Sequence, residues 1–287
     1  MKPGSENSIR LSRIHDLSQY LPQIDRVDAG EVFYEAVAEN SEEVFAIFYK
    51  DMVVGLSYIE DDSDGFIFIY VFPGFRNRGF GYSAACAAEK QMKSSPLLSI
   101  TTAYNNGNIA AKRFSEKCGY VKKYSSAFMK YPGKMFPEPE LPVRHYRNED
   151  FIEAFSLSSE AFHLMRLGTD CFPDSTLSEP DEETRKRWAE SADNEYVFVQ
   201  DGEIAGYARI DGNELDSVSI KVSHQGKGMG RKFVEFLINR ILEKDKGNPV
   251  LWCVVGNGKA RRLYDSLGFR EIFIEDFAVK KICSVLD

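Results

Sequence analysis

Gln225-Gly226-Lys227-Gly228-Met229-Gly230, followed by Asn257, Ala260, Leu263, Gly268 and Phe269, decides the reading of this chain because the pattern occurs twice. Arg76-Asn77-Arg78-Gly79-Phe80-Gly81, followed by Asn108, Ala111, Phe114, Gly119 and Tyr120, repeats it at a constant offset of 149 residues. A repeat this long predicts two domains of one fold. Between the copies, Tyr131 to Pro142 holds four prolines in twelve residues. Proline fixes φ and lacks a ladder donor, so this stretch reads as a stiff extended linker. The expected division is 1–131, a linker over 132–142, and 143–287.

Around each glycine loop the pattern is mixed α/β, of the α+β type. In the second half, strands are expected over Val143–Tyr146, Tyr196–Gln200, Ile204–Ile210, Glu214–Val222 and Val250–Val255, with a hairpin turn at Asp201-Gly202. Asn148 is placed to cap a helix reaching Met165, and Asp181–Ala192 reads as a charged helix. A helix from Arg231 to Glu243 follows the loop, and another over Lys259–Leu267 stops at Gly268. Phe269–Ile282 supplies the last strands. The first half repeats this order with a compressed N-terminus, from the hairpin Val44–Tyr49 and Met52–Ile59 to the strand Val121–Met129. Each half is expected to be a sheet with helices packed on it.

The composition narrows the function. Hydrophobic residues are 43% of 287, enough for two cores. The longest apolar runs, such as Phe66–Phe72, are of strand length and far short of a membrane span. The start, Met1-Lys2-Pro3-Gly4-Ser5-Glu6-Asn7, lacks the apolar core of a signal peptide, so a soluble cytoplasmic protein is expected. The net charge of −8 provides no basic face for nucleic acid. The four histidines and five cysteines show no metal-ligand spacing, so no metal is expected.

A strand, a Gly-rich turn and a helix start form an anion site, because backbone N–H groups converge where the helix dipole is positive. Lys227 and Arg231 add charge. A Walker loop is excluded, since Lys227 precedes Gly228 and no Ser or Thr follows. Gly79-Phe80-Gly81-Tyr82-Ser83-Ala84 matches a dinucleotide fingerprint in letters, but its strand ends near Phe72, too far upstream, and Ser99 stands where the ribose-binding acid belongs.

The spacing Gln/Arg-x-x-Gly-x-Gly, then Asn-x-x-Ala-x-x-Leu-Tyr-x-x-x-Gly-Phe, resembles the GNAT superfamily of acyl-CoA-dependent N-acyltransferases. The second copy matches in full, through Gln225, Gly228, Gly230, Asn257, Ala260, Leu263, Tyr264, Gly268 and Phe269; the first carries Ser115 at the Tyr position. The resemblance covers nearly the whole chain, as two tandem domains. It implies that each is a mostly antiparallel twisted sheet with a splayed parallel strand pair and flanking helices. It also implies acetyl-CoA as acyl donor. Its pyrophosphate would lie on Gly226, Lys227, Gly228, Met229, Gly230 and Arg231, and its pantetheine arm along Ile220, Lys221, Val222 and Asn257. In the first copy the candidates for binding the same donor are Ile69, Tyr70, Val71, Asn77, Arg78, Gly79, Phe80, Gly81, Tyr82 and Asn108.

An ammonium of pKa about 10.4 must lose a proton before it can attack a thioester, and the thiolate leaves more readily if given one. By the resemblance, Glu214, eleven residues before Gln225, is the base and Asp216 its alternative. Tyr264 is the acid, and the Val222 N–H polarises the thioester carbonyl. Gly65 and Ser115 occupy the base and acid positions of the first copy, which is therefore expected to be degenerate in catalysis. The expected reaction is direct acetyl transfer, in a ternary complex, to a primary amine of a small molecule. A protein N-terminus or lysine as acceptor, and an acyl-CoA sensor without turnover, are the alternatives. The sequence leaves the oligomeric state open; the tandem repeat can mimic a dimer within a monomer.

Overall fold

The computed structural model describes residues 9–61, 65–92, 98–169, 171–172 and 174–282. In chain order, β1 (Ile9–Ser12) leads to α1 (Arg26–Ala29), α2 (Glu31–Ala38), β2 (Val44–Tyr49), β3 (Met52–Glu60), β4 (Phe66–Val71), α3 (Phe80–Met92), β5 (Ser99–Asn105), α4 (Ile109–Lys117) and β6 (Val121–Lys130). Then come β7 (Val143–His145), α5 (Phe151–Gly168), α6 (Glu182–Glu190), β8 (Glu195–Gln200), β9 (Glu203–Asp211), β10 (Glu214–Ile220), α7 (Met229–Glu243), β11 (Val250–Val254), α8 (Gly258–Leu267) and β12 (Arg270–Lys281).

Local chemistry sets several boundaries. Asp201 and Gly202 both take positive φ, the conformation a two-residue hairpin needs. Asp181 accepts the Thr184 N–H at 2.8 Å and caps α6. Asn148 does not cap α5 as the sequence suggests. Asp150 starts that helix instead, accepting the Arg147 N–H at 2.7 Å while Arg144 grips both of its oxygens, and Asn148 accepts from Arg185. The N-terminus is fuller than expected, since β1, α1 and α2 precede the first predicted hairpin.

The contacts divide the chain into two compact units, of which only the second is one contiguous stretch. The first runs to Tyr124 and takes back the stretch from Glu275; the second is Ser125–Ile274. In the first, strands lie in the order β1-β2-β3-β4-β5 and then the 275–281 part of β12, which pairs with β5 from Glu275↔Asn105 to Lys281↔Ser99. In the second, the order is β7-β8-β9-β10-β11, closed by the 126–130 part of β6 from Ser126↔Val254 to Lys130↔Val250. Each sheet is antiparallel except for one parallel pair, β4/β5 or β10/β11.

The second unit is cored by Phe233, Val234, Leu237, Ile238 and Ile241, which form one face of α7 and pack with Tyr264 and Leu267 of α8. Burying each large side chain stabilises by about 1.5–3 kcal/mol. α5 covers the opposite face through Phe151, Ala154 and Leu157. The Pro-rich stretch lies within this unit. The fully buried Asn239 of α7 accepts the Phe136 N–H at 2.8 Å and donates to the Phe136 carbonyl at 3.0 Å, because a buried amide needs partners. Tyr131 stacks on Phe136.

A chain ending at residue 274 would lose the β12 ladder on β5, the Lys280–Glu89 ion pair and the bond from Lys280 to the Cys118 carbonyl, while keeping every strand of the second unit. At roughly 0.5–1.5 kcal/mol net per hydrogen bond, the loss should lower the melting temperature of the first unit by more than about 10 °C. Calorimetry would read this, and an unchanged transition would show that the strand is dispensable.

Candidate functional site

The second unit's site is built on an irregular strand. β10 pairs in register with β9 from Glu214↔Asp211 to Asp216↔Arg209, then slips by one residue before Ser219↔Tyr207. Ser217 takes a left-handed φ of 54° within this bulge. The extra residue reassigns the faces. Leu215, Val218 and Ile220 all join the α7–α8 core, although a regular strand would put Leu215 on the other side from the latter two. Glu214, Asp216 and Ser219 face α5, where Ser219 Oγ meets Ser158 Oγ at 3.3 Å. Nothing in the sequence signals this, since the left-handed residue is a serine rather than a glycine.

Glu214 is half-buried. Burial, then the neighbouring Asp216 and Asp211, push its carboxyl up to about 7, while Arg209 acts the other way. A carboxylate of this kind changes charge near neutrality, as a general base requires.

β10 and β11 hold together at one parallel pair, Glu214↔Val250, and at the bond from the Val250 N–H to the Asn213 carbonyl, 3.0 Å. Beyond that pair the two strands form no ladder, although β10 continues to Ile220 and β11 to Val254. The facing edges are thus left to an extended ligand that can pair with them.

At the end of β10, the Gln225 side-chain amide donates to the Ile220 carbonyl at 3.0 Å and pins the loop. Gly226 and Gly228 follow with φ of 74° and 81°, values that only glycine adopts without strain. α7 starts at Met229, two residues earlier than the sequence suggests, because left-handed Gly228 serves as its N-cap. The first-turn N–H groups of Met229, Gly230 and Arg231 have no acceptor within the helix. The Arg231 guanidinium is committed to Glu235, Ser266 Oγ and the Ser266 carbonyl, all at 3.0 Å, so what this residue offers the loop is its N–H. Lys221 is paired with Glu203, whereas Lys227 is exposed. Asn257 caps α8, its Oδ1 accepting the Ala260 N–H at 3.2 Å.

Tyr264 of α8 is 8% exposed and meets Phe269 edge-on at 5.6 Å. Burial, with a smaller contribution from Cys253, raises its hydroxyl above the ordinary tyrosine range. Tyr264 belongs to the α7–α8 core and Glu214 to the α5 face, so the two lie on opposite sides of the sheet. The gap between β10 and β11 is where those sides meet.

The first unit keeps this frame with different residues at the positions of Glu214 and Tyr264. β4 and β5 pair only at Phe66↔Thr101 and then part, yet β4 carries no bulge against β3. Arg76 Nε donates to the Val71 carbonyl at 2.9 Å, the contact Gln225 makes in the other unit. Asn77 and Gly79 take φ of 61° and 85°, matching Gly226 and Gly228. Asn108 caps α4 through the Ala111 N–H at 2.9 Å. However, Gly65 provides no side chain, and Pro73 stands where Val222 offers an N–H. Ser115 Oγ is buried with no hydrogen-bond partner.

The other first-unit candidates are largely engaged. Ile69 and Tyr70 pack in the cores, and the Tyr70 hydroxyl accepts the Asp25 N–H at 2.8 Å. Phe80 packs on Tyr49, Arg78 lies over Phe75, and Gly81 meets the Phe114 ring so closely that a Cβ would stand 3.2 Å from it. Val71 ends β4, and Tyr82 is exposed on α3. Asp28 of α1 occupies both polar groups at the mouth of the gap, 2.7 Å from Arg76 Nη2 and 2.6 Å from Asn108 Nδ2. The sequence marks Asp28 only as an acid in a short capped helix.

Comparison with known proteins agrees with this geometry. Residues 12–120 match the model described as acetyltransferase (GNAT) family, and residues 153–285 that described as acetyltransferase (GNAT) domain. The [ribosomal protein bS18]-alanine N-acetyltransferase of Escherichia coli strain K12 is 35% identical over 85 residues, 28% of this chain and 56% of that enzyme. The chain thus spans about half the length of the curated relative it matches. A GCN5-related N-acetyltransferase from Sphaerobacter thermophilus superposes with a TM-score of 0.73 at 16% identity, covering 95% of both chains. A tandem GNAT protein from the clavulanic acid biosynthesis pathway gives a TM-score of 0.61 at 12% identity, covering 96% of this chain and 98% of that one. At such identities the likeness is one of fold. With both halves matched by models of one superfamily, the chain belongs to the GNAT acetyltransferases and carries two domains of that family in tandem.

Proposed function

We propose that the second unit transfers an acetyl group from acetyl-CoA to the primary amine of a small molecule, by direct attack with both substrates bound. The observation that carries this is the β10/β11 gap, flanked by Glu214 on one face and Tyr264 on the other. The unpaired strand edges and the left-handed glycine loop at the start of α7 suit an extended arm and a diphosphate. Bound there, the donor supplies an activated acyl thioester. Glu214 takes the proton of the acceptor ammonium, the Val222 N–H faces developing negative charge, and Tyr264 gives its proton to the departing sulfur.

Support for a small acceptor comes from the cover on the face of the sheet that carries Glu214. α5 lies across β9 and β10. The segment after it folds back, Ser178 N–H to Ser159 Oγ at 2.8 Å, and Thr169 packs against Gly256, where a Cβ would stand 3.2 Å away. A covered face favours a small amine. The second reading, acetylation of a protein N-terminus, is favoured by the likeness to the bS18-alanine enzyme. Coenzyme A release with polyamines, aminoglycosides, amino acids and alanine-starting peptides would separate the two, and no release with any of them would leave a donor-binding sensor. In the same reading the protein works in the cytoplasm. No helix among the described residues is long and apolar enough to cross a membrane.

Glu214 works only when ionised, so kcat/KM should climb as pH rises through about 7 and fall below it. Glu214→Gln should abolish that limb and lower turnover by about 10²- to 10⁴-fold. A limb that survives in the variant would remove Glu214 as the base.

Tyr264→Phe deletes only a hydroxyl and should slow the chemical step by roughly ten- to a thousand-fold with little change in acetyl-CoA affinity. An undiminished single-turnover rate would take Tyr264 out of the mechanism.

Gly228 and Gly79 share the same backbone conformation, and nothing stands within 4 Å of a Cβ at either, so each controls for the other. A carboxylate at Gly228 repels a pyrophosphate, so Gly228→Glu should eliminate turnover. Gly79→Glu should spare most of it, since Asp28 already puts a carboxylate against Arg76 and Asn108. The reverse result, in folded proteins, would make the first unit the working one.

A further inference from the structure

We infer that Arg209 is a positioning residue for the base: it sets a positive charge among Asp211, Glu214 and Asp216, and the buried Glu195 holds it there. This rests on the reading of Glu214 as base. The placement follows from the sheet register. Glu195, Arg209 and Asp216 stand directly opposite one another across β8, β9 and β10, on the face that carries Glu214. Arg209 Nη2 donates to Asp211 Oδ2 at 3.0 Å, and its Nε lies 3.8 Å from Glu195 Oε1. That Nε is buried without an acceptor, so the guanidinium is held by charge rather than by saturated hydrogen bonding.

Glu195 is itself fixed. It is 1% exposed and accepts from Tyr207 Oη and from Ser191 Oγ, each at 2.7 Å. Tyr207 in turn lies flat against Trp188, ring centroids 4.3 Å apart. A packed aromatic pair therefore anchors a carboxylate, which anchors the cation.

The arrangement answers an electrostatic problem. Glu214 stands opposite Asp211 and two residues from Asp216, and like charges across a strand pair oppose ionisation. The charged groups bearing on Glu214 are Asp216 on its own strand, Asp211 and Arg209 on β9 and, behind Arg209, Glu195 on β8. On its other side it faces Val250 of β11, and α5 brings Ser158 to β10 at Ser219. Without Arg209 only carboxylates would remain in that set, and they would favour the protonated base.

The test is the pH profile of kcat/KM with one fixed acceptor, so that the amine's own titration is common to all variants. Arg209→Gln should move the acid limb upward by about one unit, which lowers activity up to about tenfold at pH 6.5 and far less at pH 9. Arg209→Lys should keep the limb near its original position. If Glu214→Gln removes the limb but Arg209→Gln lowers activity equally at every pH, Arg209 is merely structural and the inference fails alone. If Glu214→Gln leaves the limb in place, the base lies elsewhere and the inference fails with that reading.

Discussion

A parallel strand pair that joins at one residue and then parts is the constraint on which the rest of each unit depends. Glu214↔Val250 and Phe66↔Thr101 are the two joints. Past each joint, backbone donors and acceptors face a gap instead of a neighbouring strand. Unpaired strand edges are a liability unless something covers or pairs with them. Here the gap leads straight to the glycine loop, so a ligand with an extended arm and an anionic head fits the whole run. The loop is held to the strand by the same contact in both units, Gln225 to the Ile220 carbonyl and Arg76 to the Val71 carbonyl. The first residue of the loop motif therefore serves the fold before it serves any ligand.

The gap and the chemistry are separable. Both units part their parallel strands, but only β10 carries the bulge at Ser217. The bulge does not open the gap. It turns Glu214 and Asp216 toward α5 while Val218 and Ile220 stay in the core. The first unit, with a regular β4, keeps the frame without this re-aiming. It also has Gly65, Pro73 and Ser115 at the base, N–H and acid positions, and the Asp28 carboxylate sits on the groups a donor would use. The turn geometry is the same in both units, because Asn77 and Gly79 connect β4 to α3 as Gly226 and Gly228 connect β10 to α7.

Sharing of strands ties the units' stabilities to distant parts of the chain. The last strand of the first unit comes from 275–281 and that of the second from 126–130. Each closes a sheet edge that would otherwise be exposed. The Pro-rich stretch is held in the second unit by the buried Asn239, by the Arg240–Glu138 ion pair and by Phe136 and Leu141 packed on the core.

The sequence by itself determined the repeat, the mixed α/β class, the helix stops, the glycine loop and the residue types that point to acyl transfer. These are set by spacing and by intrinsic backbone preference, which act over a few residues: glycine at positive φ, asparagine at a helix start, alternation along a strand. Tertiary structure alone decided which face of β10 Glu214 occupies, because a bulge at a serine has no local signature. It also decided that Asp28 reaches Asn108 from 80 positions away, that Arg209 stands between Glu195 and Asp216, and that the closing strands are exchanged. Each of these depends on strand register or long-range pairing, and a one-residue slip in register moves every side chain to the opposite face.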